Sequence, residues 1–185
     1  MPKISITLGS ILLIPAVIFD PSGELTATVI SAALHELGHL IMIAVCGVGM
    51  RELRITPYGL EIETARRYGG FAEELAITAA GCVINLICFF LLSPLQGIWH
   101  SVAYASLILG VINAMPVLSL DGGEALFCVL CSILPYGAAC RISRAVSFVT
   151  LTAMWVLAAY IFLFSGYNYS LFIMTVWLFA KIYCK

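Results

Sequence analysis

The sequence predicts an all-α polytopic membrane protein with about six transmembrane helices, a short β-hairpin at the membrane surface and one broken helix. Two observations lead to this fold class. Hydrophobic residues make up 62% of the 185 residues, charged residues only 10%, and the mean hydropathy is +1.07. A soluble domain carries about 25% charged residues. The apolar residues also fall into runs of roughly 17–25 residues, the length that crosses a bilayer.

Six apolar runs are candidate spans. They are residues 4–19, 25–48, 72–92, 98–116, 145–165 and 168–183. A shorter apolar piece, 124–138, follows Asp121 and need not cross the membrane independently. The first run is similar to a signal peptide with Lys3 as its charged region, but no small-x-small cleavage pattern follows it, and Asp20-Pro21 predicts a turn. We therefore expect it to be retained as the first span.

All nine basic residues fall on one side of this layout. They are Lys3, Arg51, Arg54, Arg66, Arg67, Arg141, Arg144, Lys181 and Lys185. Because lysine and arginine accumulate in cytosolic loops, the sequence predicts a multi-pass integral membrane protein with both termini in the cytosol. No basic stripe with interleaved aromatic residues is present, so nucleic acid is not an expected partner.

The loop 49–71 alternates polar and apolar residues around Pro57-Tyr58-Gly59, a pattern typical of a β-hairpin. In this hairpin we expect the apolar residues Leu53 and Ile55 of one strand to pair with Leu60 and Ile62 of the other. Two interpretations stay open for this hairpin. It is either a solvated connector or an exposed strand edge that holds an extended peptide by strand addition.

The second predicted span contains the motif His35-Glu36-Leu37-Gly38-His39 and no other acidic or basic side chain. Two histidines four residues apart lie on one face of a helix, where both imidazoles can reach one Zn²⁺. Glu36 is placed to act on water as a general base. Since a charged residue inside a membrane costs about 2.5–3.5 kcal/mol on insertion scales, packing alone does not explain this motif.

A catalytic zinc ion usually takes a third protein ligand. His100 is predicted at the far surface, which leaves the carboxylates Asp121 and Glu124 as candidates. Pro116 breaks the preceding helix, and Gly122-Gly123 permits a tight turn after Asp121. Unwound backbone at membrane depth requires cover by protein or a water-filled cavity. The broken helix therefore predicts a carboxylate held beside the two histidines.

Taken together, the motifs resemble the signature of site-2 proteases, intramembrane zinc metalloproteases of the peptidase M50 class. The matching residues are His35-Glu36-x-x-His39, Gly81-x-x-x-Asn85 and Asn113-x-x-Pro116-x-x-x-Leu120-Asp121-Gly122. They extend over about half of the chain. The Leu-Asp-Gly-Gly ending and the small six-span layout look most like the bacterial stage IV sporulation protein FB branch.

The resemblance implies that His35, His39 and Asp121 bind one Zn²⁺ per chain, and that Glu36 activates water for peptide hydrolysis. It also implies cleavage of a membrane-associated or transmembrane substrate in or near its membrane segment, by regulated intramembrane proteolysis. The active site would be reached from the cytosol, in a bacterial inner or forespore membrane. The expected partners are this membrane substrate and the lipid bilayer, and an inhibitory membrane partner is compatible with the same reading.

The remaining motif residues have two interpretations each. Asn85 and Asn113 are candidates for binding substrate or the oxyanion. Asn85 is as well explained by a hydrogen bond between helices, and Asn113 by satisfying backbone groups freed at Pro116. The residues expected to support the structure are Gly81, Pro116, Gly122 and Gly123.

We expect a single integral-membrane metalloprotease domain over residues 1–185, with a catalytic core at about 25–124 and neither a PDZ nor a CBS module. Three alternatives stay open. A peptidase of another clan would use a glutamate, here Glu124, as its third ligand. A zinc-transport or zinc-sensing protein would bind the metal without hydrolysis, and an inactive relative would bind membrane peptides without cutting them.

Overall fold

The computed structural model describes residues 3–6, 15, 17–56, 59–64, 70–165 and 169–183. The chain divides into two compact units, Met1–Asn113 and Ala114–Lys185. Among the described residues, the first unit contains three long helices and a three-stranded sheet, and the second contains three helices. The prediction of a single domain stays a prediction.

Helices make up most of both units. In chain order they are α1 (Glu24–Val45), α2 (Phe71–Leu92), α3 (Ile98–Asn113), α4 (Asp121–Ile133), α5 (Tyr136–Ser165) and α6 (Tyr169–Tyr183). The chain enters α1 through Gly23, which has a left-handed φ of 71°. Helix α3 ends shortly before Pro116, whose ring cannot continue a helix.

Three of the described helices are long and apolar enough to cross a membrane, namely α1, α2 and the part Tyr136–Phe164 of α5. Two further apolar helices are shorter, α3 and the part Leu171–Tyr183 of α6. These are the lengths and compositions of a membrane protein, in agreement with the low charge content of the sequence. The number of six spans stays a prediction.

The first unit also contains a sheet with the strand order β1-β2-β3. Strand β1 (Lys3–Ile6) runs parallel to β2 (Met50–Thr56), and β2 pairs antiparallel with β3 (Gly59–Thr64). The register of β2 and β3 places Leu53 opposite Ile62 and Ile55 opposite Leu60. The predicted turn falls on Pro57 and Tyr58, which lie outside the described residues.

Strand β1 corrects the prediction that a membrane span begins near residue 4. Its backbone pairs with β2, with Lys3 opposite Glu52 and Ile6 opposite Ile55. A short apolar run is compatible with either a strand or a helix, and only a partner strand far along the chain decides between them. The middle of the predicted span, residues 7–14, lies outside the described part of the chain.

In the first unit, α1, α2 and α3 pack against one another. Helices α1 and α2 approach closely at Gly38, where a Cβ would lie 2.7 Å from the Ala80 carbonyl oxygen. Helices α1 and α3 are joined at buried Ser31, whose hydroxyl lies 3.0 Å from the Val102 carbonyl oxygen and 2.9 Å from the Ser106 hydroxyl. Small residues and hydroxyl pairs of this kind hold membrane helices together. The close approach brings the face of α1 that carries the histidines against α2.

In the second unit, α4 packs on α5 and α5 packs on α6. The core of this unit includes Val117, Leu151 and Leu178, which are all 1% exposed or less. Val117 belongs to the non-helical segment 114–120 between α3 and α4. Met115 and Leu120 of the same segment pack against this cluster, so the segment is anchored in the apolar core of its own unit by three of its side chains.

Candidate metal site

Helix α1 places the two motif histidines side by side. The Nε2 atoms of His35 and His39 are 3.3 Å apart, and their ring planes are nearly perpendicular, at 82°. His35 is buried, with 5% of its surface exposed, and His39 is half-buried. The spacing of four residues thus does what the sequence predicts: it turns both rings to one side of the helix.

The opposite nitrogens of the two rings contact α2. Nδ1 of His39 donates a hydrogen bond to the backbone carbonyl of Ile77, at 2.8 Å. Nδ1 of His35 lies 3.1 Å from the amide nitrogen of Asn85. A histidine that binds a metal through one nitrogen is usually oriented by a hydrogen bond at the other. Both rings are held in this way, with Nε2 left to face the candidate site.

Gly81 lies on α2 directly against the two rings. A Cβ at this position would meet Nε2 of His39 at less than any normal contact distance, and would lie 2.6 Å from Cε1 and 2.8 Å from Nε2 of His35. Ile77, Gly81 and Asn85 are spaced by four residues and so form one stripe along α2. This stripe supplies the carbonyl, the open space and the amide that surround the histidine pair.

The geometry of the pair fits a zinc ion. Two nitrogens, each about 2.0–2.1 Å from a tetrahedral Zn²⁺, lie about 3.3–3.4 Å apart. The observed separation of 3.3 Å between the Nε2 atoms agrees with that value. Because both Nδ1 atoms contact α2, Nε2 is the nitrogen through which each ring would bind a metal.

Glu36 and Asn113 are the other candidate residues of the first unit. Glu36 follows His35 on α1 and is half-buried. Asn113 is the last residue of α3, is half-buried, and donates from Nδ2 to the backbone carbonyl of Leu109 at 3.2 Å. This bond lies within the helix, and its acceptor is not the carbonyl that Pro116 leaves without an N–H partner, which is that of Ile112. Both predicted interpretations of Asn113 therefore stay predictions.

The remaining predicted site residues belong to the second unit. Asp121 is the first residue of α4 and is half-buried. Four N–H groups of the segment 114–120 are held inside the unit. That of Val117 donates to the Met115 carbonyl at 2.7 Å, that of Leu118 to the Ser147 hydroxyl at 3.0 Å, and those of Ser119 and Leu120 to the Val117 carbonyl at 3.0 and 2.9 Å. The segment is thereby non-helical but hydrogen-bonded, which backbone inside a membrane protein requires.

The two glycines after Asp121 let α4 begin directly against this segment. A Cβ at Gly122 would lie 2.6 Å from the Met115 carbonyl oxygen, and one at Gly123 would lie 2.8 Å from the Leu118 nitrogen. A larger residue at either position would push the first turn of α4 away. Glu124, the alternative third ligand, is exposed in the same first turn.

Two groups that hold site residues were not predicted. The Ile77 carbonyl is a backbone atom, and no sequence motif encodes it. Ser147 lies on α5, far along the chain from Leu118, in a run of apolar residues that gives it no special pattern. The spacing of four before Gly81 is the one signal that could have directed attention to Ile77.

Comparison with solved structures finds the same fold in the site-2 protease from Methanocaldococcus jannaschii, with a TM-score of 0.65. The two sequences are 20% identical, and the alignment covers 95% of this chain and 86% of that chain. No family model and no curated protein sequence matches the chain. At this identity the likeness is one of fold, and it agrees with the resemblance that the motifs indicate.

Proposed function

We propose that this protein is an intramembrane zinc metalloprotease that cleaves a membrane-associated or transmembrane substrate in or near its membrane segment. The observation that carries the proposal is the histidine pair on an apolar helix, with two Nε2 atoms 3.3 Å apart and both Nδ1 atoms engaged on α2. A pair held in this way has the form of a metal site rather than of a packed core. The fold shared with a site-2 protease supports the same conclusion.

In this proposal one Zn²⁺ is bound by His35, His39 and Asp121. The histidines contribute Nε2, and the aspartate contributes a carboxylate oxygen from the start of α4, where Gly122 and Gly123 allow the helix to begin against the segment before it. Two histidines and one carboxylate form a ligand set known from catalytic zinc sites. The bound ion would supply Lewis-acid chemistry, activating water and polarising the scissile carbonyl.

Glu36 acts as the general base. Its carboxylate takes a proton from the attacking water and later delivers a proton to the leaving amine. Because Glu36 follows His35 on α1, the helix fixes the position of its backbone relative to the histidine pair. Asn113 is the candidate donor to the oxyanion, because its bond to the Leu109 carbonyl lies within one helix and a substrate oxygen can replace it.

The substrate must present an extended backbone, because the carbonyl groups of a helix are occupied by hydrogen bonds. Strands β1 and β3 are the edges of the described sheet, and we propose β3, the second strand of the hairpin, as the one that receives such a segment. Strand addition there is the peptide-binding mode we favour for the hairpin. The resemblance to the sporulation branch points to a membrane-associated pro-transcription factor as the kind of substrate, in a bacterial membrane with the site open to the cytosol.

Zinc content and cleavage test the proposal together. The protein, purified in detergent, should contain about one zinc per chain, and Asp121→Ala should lose most of it, while Glu124→Ala should keep it. Glu36→Gln should retain zinc and lose cleavage of a membrane peptide substrate. Full zinc content in Asp121→Ala would contradict the ligand assignment, and cleavage by Glu36→Gln would contradict the assigned base.

A further inference from the structure

The side chain of Asn85 is completely buried on α2, and only one of its two polar atoms has a hydrogen-bond partner among the described residues. Its Nδ2 lies 3.1 Å from Nδ1 of His35, and its Oδ1 has no hydrogen-bond partner among the described residues. A buried polar atom in this condition is uncommon in native proteins and requires an explanation. Since the other polar atom of this amide contacts His35, a candidate zinc ligand, we look for the explanation in the zinc site.

The amide as placed in the structure corresponds to one protonation pattern of the two histidines. Nδ2 can only donate, so Nδ1 of His35 accepts and the proton of that ring is on Nε2. His39 has its proton on Nδ1, where it donates to the Ile77 carbonyl, and its Nε2 accepts. The Nε2–H of His35 then points to Nε2 of His39, 3.3 Å away. The contacts thus form a continuous chain from Asn85 through both rings to Ile77.

Zinc binding requires the other pattern at His35. A neutral imidazole that binds a metal through Nε2 has its proton on Nδ1, and that proton needs an acceptor. A half-turn of the Asn85 amide exchanges its nitrogen and oxygen and leaves the other atoms in place. Oδ1, the atom without a partner, then faces Nδ1 of His35 and accepts from it.

We propose that Asn85 is a positioning residue that sets the tautomer of His35, its amide donating to Nδ1 in the metal-free protein and accepting from Nδ1–H when zinc is bound. The proposal rests on the zinc site of the proposed function and extends it. In the exchange one proton leaves Nε2 and one binds Nδ1 through solvent water, so the ring stays neutral. The Asn85 amide turns over when zinc binds. The carbonyl of Ile77, by contrast, can only accept, so it holds His39 in the same tautomer with and without zinc.

Two substitutions separate the donor and acceptor roles of the amide. Asn85→Leu keeps the shape and removes both, so we expect zinc affinity to fall by about tenfold to a hundredfold, the effect of losing an outer hydrogen-bond partner of a ligand. Asn85→Asp can only accept and holds the Nδ1–H tautomer in advance, so its zinc affinity should equal or exceed that of the wild type. Ser106→Ala is the matched control, because it removes a buried hydrogen bond to α1 without touching either histidine.

Titration of the detergent-purified full chain with Zn²⁺ against a chelating dye gives these affinities. Nitrogen-15 spectra of labelled histidine, of which the chain has three, give the tautomer directly. We expect the His35 proton on Nε2 in the metal-free wild type, on Nδ1 in the zinc-loaded wild type, and on Nδ1 in metal-free Asn85→Asp. The tautomer readout on the wild type decides the matter even if Asn85→Leu fails to fold.

A zinc affinity of Asn85→Leu within about twofold of the wild type would overturn the proposal, as would a metal-free wild type with its His35 proton already on Nδ1. Either result would leave the zinc site itself intact. A wild type that binds no zinc would instead overturn the proposed function. The two failures are therefore distinguishable in one set of samples.

Discussion

At the scale of single residues, the histidine pair depends most directly on Gly81. We expect Gly81→Ala to weaken zinc binding by at least about tenfold and to abolish cleavage, because the added methyl group would occupy the space next to both Nε2 atoms. Neither ring can retreat without breaking its contact with Ile77 or Asn85. Elemental analysis of the purified variant measures the loss of metal.

Gly70 offers a matched control for this substitution. It immediately precedes α2, has an extended backbone with φ of −178°, and, apart from its chain neighbours, no atom of the described residues lies within 4 Å of an added Cβ. Gly70→Ala should therefore keep the zinc content and the activity of the wild type. A Gly81→Ala protein with full zinc content would mean that the rings are less constrained than their contacts with α2 indicate.

At the scale of elements, the turn before α1 contains a carboxylate, that of Asp20, whose charge stabilises the entry to the helix. The Ser22 hydroxyl donates to Oδ1 of Asp20 at 2.7 Å, and the Thr26 N–H donates to Oδ2 at 3.1 Å. These two bonds, the Ser22 bond first, hold the pKa of Asp20 below its usual 3.8. The ionised carboxylate is thus more favourable in the folded protein than in the unfolded chain.

The sign of this shift predicts a pH dependence. The stabilisation is complete above the usual carboxyl pKa and is lost as the pH falls through the lower pKa of the folded protein. Asp20→Asn should therefore lower the melting temperature at pH 7 but change it little near pH 2, as thermal unfolding in detergent would measure. Thr28→Ala, which removes an uncharged hydroxyl bond from the same helix turn, should have an equal effect at both pH values. If Asp20→Asn lowered the melting temperature equally at pH 7 and near pH 2, the stabilisation would not come from the charge of the Asp20 carboxylate.

The segment 114–120 is the element whose shape places Asp121. Ser147→Ala would leave the Leu118 N–H without its acceptor, and a buried group of this kind costs about 1–3 kcal/mol. We expect a lower melting temperature and, through displacement of the segment, weaker zinc binding. Ser143→Ala is the control: its hydroxyl is equally buried one turn earlier on α5 but has no hydrogen-bond partner among the described residues, so its loss should be neutral or stabilising. Equal effects of the two substitutions would argue against the role of Ser147.

At the scale of the whole molecule, the distribution of basic residues predicts the orientation in the membrane. A reporter that is active only in the cytosol should be active when it is fused after Lys185 and inactive when it is inserted in the loop 93–97. The reason is that cytosolic loops accumulate lysine and arginine. The loop 49–71, with four of the nine basic residues, should report with the C-terminus. A C-terminal reporter on the outer side would reverse the predicted access to the site.

Much of the molecule follows from local patterns in the sequence. The membrane character, the apolar helices and the break at Pro116 each depend on composition or on residues close in the chain. The histidine pair belongs to the same class, because a spacing of four on a helix is sufficient to bring the rings together.

Only the tertiary structure decided the features that depend on residues distant in the chain. Ile77 bonds to His39 across 38 residues and Asn85 to His35 across 50, and Lys3–Ile6 became a strand because β2 lies beside it. The physical reason is that these contacts are made by backbone groups and by the space beside a glycine. No residue type in the sequence encodes which distant residue will meet them. The sequence by itself determined the candidate chemistry on α1, and the packing of α2 against it decided how those side chains are oriented.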